Sequence, residues 1–232
     1  MGKTSIQATQ RAQPRGRPPS ASREDVLTLA MRRYVRGQRV DVHAIAGELG
    51  LGRTTIYRWF GSRDDLIGEV LVRAGEPLLE RARAGARGSG GLALLDTLDR
   101  FNRSLAEAPP LRQFVEHEHD TALRVITSSA GKVQPWVVGA ITELIRQEVR
   151  AGTYRPAIEP ATLAYAIVRL GEAFLYNDAV GGMRGDVERL RKVQAAMFGW
   201  ERAGDAEAGL RSTTPARSPR SAQSTTATTT AG

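Results

Sequence analysis

Apolar residues recur along this chain at the three- and four-residue spacing of helices, and no stretch keeps the two-residue alternation of a strand. The pattern starts at Ser22, whose hydroxyl can cap a helix while Asp25 stands three residues on, as in a capping box. Val26, Leu29 and Ala30 carry that helix towards Val35 and a break at Gly37. Asp41 then caps a short helix over 42–49, with Val42, Ile45, Ala46 and Leu49 on one side. Gly50 suits the left-handed residue that ends a helix, Leu51 plugs the turn, and Gly52 leads into a second short helix over 53–60. This one buries Ile56, Trp59 and Phe60. Ser62, with Asp65 at the third position, opens a longer helix through Leu66, Ile67, Val70, Leu71 and Leu78 to about Arg81. After a glycine-rich break at 85–91, the spacing predicts helices over 92–108, 110–128, 135–151, 160–178 and 184–200. The expected fold is all-α: an N-terminal three-helix unit with a helix-turn-helix, joined to a C-terminal helical bundle.

The two ends lack this periodicity. Residues 1–21 hold Lys3, Arg11, Arg15 and Arg17 with no acid, and read as a disordered basic arm. Residues 203–232 are rich in Ser, Thr, Ala and Pro and read as a disordered tail. The expected organisation is arm 1–21, DNA-binding domain 22–71, ligand-binding and dimerisation domain 72–202, and tail 203–232. Net charge of +8 favours a polyanionic partner, although thirty of the 33 basic residues are arginine, as GC-rich coding alone would also produce. Cysteine is absent, which excludes disulfides and thiolate chemistry. No window is apolar enough for a membrane span and the first twenty residues hold no signal-like run, so a cytoplasmic, nucleoid-associated protein with no membrane partner is expected.

The second short helix exposes Arg53, Thr54, Thr55, Tyr57 and Arg58 opposite its apolar side. Arginine can donate to guanine O6 and N7, threonine offers a hydroxyl and a methyl, and a phenol or guanidinium one turn on can grip phosphate. Ser62 and Arg63 open the next helix, whose free amides also favour phosphate, and His43 stands in the first turn of the preceding helix. The partner implied is double-stranded operator DNA. In the arm, Pro14-Arg15-Gly16-Arg17-Pro18 resembles the core of an AT-hook, with Arg15 and Arg17 suited to a narrow minor groove; a solubilising extension is the other reading.

A single short reading helix contacts few base pairs, so a two-fold homodimer is expected. Leu163, Ile167, Leu170 and Phe174 make one apolar side and Leu190, Val193, Met197 and Trp200 another, fit for a dimer seam or for interior core. Tyr165, Arg169, Glu172 and Tyr176 fall on one side of an otherwise apolar segment. They suit either the polar end of a small-molecule pocket or an ion pair at the rim of the body. Phe101, Phe114, His117 and Trp136 are further candidate pocket residues. The neighbouring His117, Glu118 and His119 point different ways on a helix, so no metal is expected. No nucleophile elbow, phosphate-binding glycine loop or His-Glu-x-x-His motif is present, and neither enzymatic activity nor a cofactor is expected.

The run AIAGELGLGRTTIYRWFGSRDDL, with Tyr57 and Phe60 and the Ser62-Arg63-Asp64-Asp65 helix start, resembles the DNA-binding domain of the TetR family of bacterial regulators. The words GRTTIYRWFGSRDDLIGEVL, LLDTLDRFNRSLAEAPPLRQF, VQPWVV and LAYAIVRLGEAFLYND extend a resemblance to the QsdR group, regulators associated with a quorum-quenching lactonase, over most of residues 22–200. The resemblance implies a homodimeric repressor released from a palindromic operator by a small hydrophobic effector, with acyl-homoserine lactones or gamma-butyrolactones as candidates. A dimeric regulator without an effector, controlled by a protein partner or by abundance, is the alternative.

Overall fold

A computed structural model describes residues 21–176 and 186–199, and these form ten helices. They are α1 Arg23–Val35, α2 Val42–Leu49, α3 Arg53–Phe60, α4 Arg63–Ala84, α5 Gly90–Glu107, α6 Pro109–His117, α7 His119–Thr127, α8 Val133–Arg150, α9 Pro160–Leu175 and α10 Val187–Met197. The all-α fold, with an N-terminal helix-turn-helix and a C-terminal bundle, is as the spacing predicts.

Local signals set the head. The Ser22 hydroxyl accepts from the Asp25 amide while the Asp25 carboxylate takes the Ser22 amide at 2.7 Å, closing the capping box. Those contacts hold the Asp25 carboxyl below its ordinary range. Asp41 caps α2 through the His43 amide at 2.8 Å, and Ser62 caps α4 through the Asp65 amide. Gly50 takes φ 62°, where a side chain would strain the backbone, and turns the chain from α2 into α3. Val26, Ala30, Ile45, Ile56, Leu66 and Val70 are packed together where these four helices meet.

The same apolar cluster continues without a gap into the body. Leu111, Val115, Ala122, Val125 and Ile126 of α6 and α7 share it with the head, as do Leu175, Tyr176 and Leu190. A second cluster lies further along the body, where α5, α8 and α9 bring together Leu95, Ile141, Ile145, Leu163 and Ile167. Close approach of α8 to α4 requires Gly75, whose absent Cβ would stand 2.9 Å from the Trp136 ring.

The predicted single helix over 110–128 is two helices. Glu118 leaves helical geometry at φ −132°, ψ 49°, and its carboxylate receives Arg63 at 2.7 and 2.9 Å and Arg39 at 3.6 Å. A long-range ion cluster therefore fixes the break, and no glycine or proline marks it in the sequence. Helix α8 begins earlier than expected and α10 later. The expected ends of the last two helices, at 178, 184 and Trp200, lie outside the described residues.

Candidate nucleic-acid interface and effector cavity

Helix α3 is held from behind by Ile56 and Phe60, both buried, with Trp59 half-buried against the core. Its other side is free. Arg53, Thr54, Tyr57 and Arg58 are exposed, Tyr57 by 44%, and Thr55 is half-exposed. Its N-cap is Gly52, which supplies no side-chain hydrogen bond to the first turn, in contrast to Ser22, Asp41 and Ser62. An uncapped N-terminus with arginine at its first position is an anion-seeking surface.

The other residues read as DNA contacts are placed differently. His43 is exposed in the first turn of α2. Ser62 is engaged in capping and also donates to the Asp65 carboxylate at 2.6 Å. Arg63, expected at a phosphate, gives Nε to the Val40 carbonyl at 2.7 Å and Nη2 to Glu118, tying the head to the body. Arg124 of α7 and Asp64 of α4 add a second such tie at 2.7 Å. Arg15 and Arg17 lie outside the described residues.

Within the body is a largely apolar cavity of about 240 Å³. Four of the expected pocket residues line it: Phe101, Trp136, Glu172 and Tyr176. Phe114 and His117 instead line a neighbouring, more polar cleft between the α1–α2 connection and α6–α7. Tyr165 is exposed by 49%, and Arg169 reaches the Glu172 carboxylate from the outer side at 2.6 Å, also donating to the Thr127 carbonyl at 3.1 Å. Both readings of the Arg169–Glu172 pair thus meet in one place: a rim arginine holding a buried carboxylate that faces the cavity.

Four polar residues lining the cavity escaped the sequence reading. Gln134 donates to Glu172 at 3.3 Å and to the Thr127 carbonyl at 3.1 Å, and Asn102 donates to Gln194 at 3.2 Å. Tyr34, at the end of α1, is the fourth. Burial pushes the Glu172 carboxyl above its ordinary range, while Gln134 and Arg169 pull it back. Burial likewise raises Tyr34 and Tyr176.

Of the expected seam residues, Leu163, Ile167 and Leu190 are buried within the chain itself. Leu170, Phe174, Val193 and Met197 are partly covered, and Trp200 lies outside the described residues. Among the described residues no group of three or more His, Asp or Glu could hold a metal, and no helix is long and apolar enough to cross a membrane.

A short helix with one side free of the core, beside a helical body containing an apolar cavity, is the arrangement found in helix-turn-helix DNA-binding regulators. Residues 89–199 match the family described as Tetracyclin repressor-like, C-terminal domain. The fold is similar to that of the R. erythropolis transcriptional repressor QsdR from the TetR family, at 28% identity and a TM-score of 0.72, covering 78% of this chain and 95% of that one. No curated protein matches the sequence. Matched in sequence over residues 89–199 and in fold over most of its length, the chain resembles the TetR family of transcriptional regulators.

Proposed function

We propose that the protein is a homodimeric repressor that leaves a palindromic operator when a small, mostly apolar molecule occupies the body cavity. The observation that carries the reading is the cavity itself. A well-packed interior holds few voids larger than a water molecule, whereas this one is walled by Ala74, Leu98, Phe101, Trp136 and Val137, with polar groups at few points. It also touches Tyr34 and Val35 of the first helix, so its occupant bears on the head. Ligand and operator then oppose each other reciprocally. Moving the dimer from mostly competent to mostly incompetent takes about 5.5 kcal/mol of differential binding, so a nonspecific lipid does not suffice.

The test begins with the operator, recovered by selecting bound fragments from the native genome. Lactones, acyl chains and aromatic metabolites are then screened for its release, with acyl-homoserine lactones and gamma-butyrolactones first. Release by at least one compound at a saturable site is expected; the absence of any release favours a regulator without an effector.

Two further expectations belong to this reading. The dimer seam is assigned to the outer side of α9 and α10, where Tyr165, Ala166, Ala173, Val193 and Met197 remain at least partly uncovered. Light scattering should give about twice the 25.2 kDa chain mass. Tyr165→Glu with Val193→Glu should halve it, whereas charge at Leu163 would only disrupt the core. A wild-type monomer at micromolar concentration would remove the seam. The arm supplies the other expectation. Deleting residues 1–20 removes Lys3, Arg11, Arg15 and Arg17, so operator binding should weaken and its salt dependence become shallower, most where A·T pairs flank the site. Unchanged affinity and slope would make the arm a passive extension.

A further inference from the structure

We infer that the molecule this cavity selects is uncharged and carries a hydrogen-bond donor beside a carbonyl, and that Tyr34 of the DNA-reading head holds it directly. This rests on the ligand-binding reading above and narrows it to a chemical class and a contact.

Tyr34 ends α1, yet it is only 7% exposed and lines the cavity with Tyr176, 8% exposed, and Glu172, 7% exposed. Neither phenol has a hydrogen-bond partner among the described residues. A buried hydroxyl without a partner is costly, and a ligand oxygen accepting from either phenol would relieve that cost. A carbonyl fits that position, since each phenol donates.

Glu172 supplies the complementary half. Its Oε2 is taken by Arg169 at 2.6 Å, while among the described residues Oε1 receives only the longer contact from Gln134 at 3.3 Å. An ionised carboxylate accepts and never donates, so Oε1 selects a ligand N–H or O–H. A ligand carboxylate would set a second negative charge against Glu172, with Arg169 already committed to Glu172 and to the Thr127 carbonyl. A ligand ammonium would meet a carboxylate that already has its cation. Apart from the Asn102–Gln194 amide pair the remaining wall is apolar, and it carries no charge to compensate either. An amide or a hydroxylated carbonyl compound on an apolar chain satisfies every group named. Because Tyr34 belongs to α1 and Glu172 to α9, such a molecule bridges head and body.

Decanamide, methyl decanoate and decanoate carry related chains with donor plus acceptor, acceptor alone, and a charge. In titration calorimetry on the full-length protein, decanamide should bind about three- to tenfold more tightly than the ester, and decanoate more weakly than either. Tyr34→Phe, with unaltered circular dichroism, should weaken amide and ester alike by about three- to tenfold. Glu172→Gln should close the gap between them; if that variant does not fold, the wild-type order and Tyr34→Phe still decide. Equal binding of amide and ester, or preference for decanoate, overturns the ligand class while leaving the cavity a binding site. Unchanged affinities in Tyr34→Phe overturn the head's contact. Binding of none of the three overturns this inference, while the ligand-binding reading stands or falls by the operator-release screen.

Discussion

Leucine in place of Gly171 should give a protein that holds its operator and no longer releases it. Gly171 is buried in the interior of α9 and lines the cavity, and a Cβ built on it meets nothing within 4 Å. A branched side chain there extends into the space a ligand needs, whereas at Gly75 even a methyl would strike Trp136. The backbone also gains. Glycine in a helix interior costs about 1 kcal/mol relative to alanine, and leucine ranks close to alanine. Stability should therefore rise by roughly 0.5–1 kcal/mol, about 1–4 °C in the melting midpoint for a chain of this size. The prediction is thus a double one: loss of ligand response without loss of stability. Effector affinity should fall by at least about tenfold while operator affinity is retained, and Gly171→Ala should show the gain in stability with little of the block. A G171L protein that releases DNA at the wild-type effector concentration would place the ligand elsewhere.

The head was legible because its boundaries are chemical. Ser22, Asp41 and Ser62 are capping residues that satisfy backbone amides within three positions, and Gly50 occupies a conformation other residues avoid. Such signals act over a few residues and can be read in one line of sequence. The break at Glu118 is of another kind, since its partner Arg63 lies fifty-five positions away and only the folded chain brings them together.

Part of the cavity was legible for a related reason. Glu172 and Tyr176 interrupt an apolar helix, and Phe101 and Trp136 are bulky enough to be noticed. Tyr34 and Gln194 were not. The first looks like one more core position on the buried stripe of α1, and the second like the polar side of α10. An apolar stripe also cannot say whose core it joins: Leu163, Ile167 and Leu190 share the spacing of a seam but are spent inside their own chain. The proposed seam draws instead on what stays uncovered after folding, such as Tyr165, whose sequence spacing groups it with the candidate pocket residues.

Alanine at Arg53, Thr55 and Tyr57 together should remove specific operator binding while leaving the fold intact. The three side chains lie on the uncovered side of α3, whose attachment rests on Ile56 and Phe60, 1% and 5% exposed. Truncating them deletes little packing. Ile56→Ala, in contrast, should cost about 2–5 kcal/mol of stability, and serves as the control for a head that has come loose. The size of the binding effect follows from the margin available. Specific sites are bound about 4–10 kcal/mol more tightly than random DNA, and each base contact is worth about 1–3 kcal/mol. In a dimer the triple substitution removes each contact twice, so even the low end of that range consumes most of the margin. What remains should be sequence-independent binding, carried by Arg58, the uncapped α3 amides and the basic arm. Its salt slope should be shallower by about 1 for each phosphate no longer neutralised, so a larger drop in slope at Arg53 than at Thr55 would identify Arg53 as a backbone contact. Full-strength, sequence-specific binding by the triple variant would mean that α3 is not the reading helix, whatever its shape.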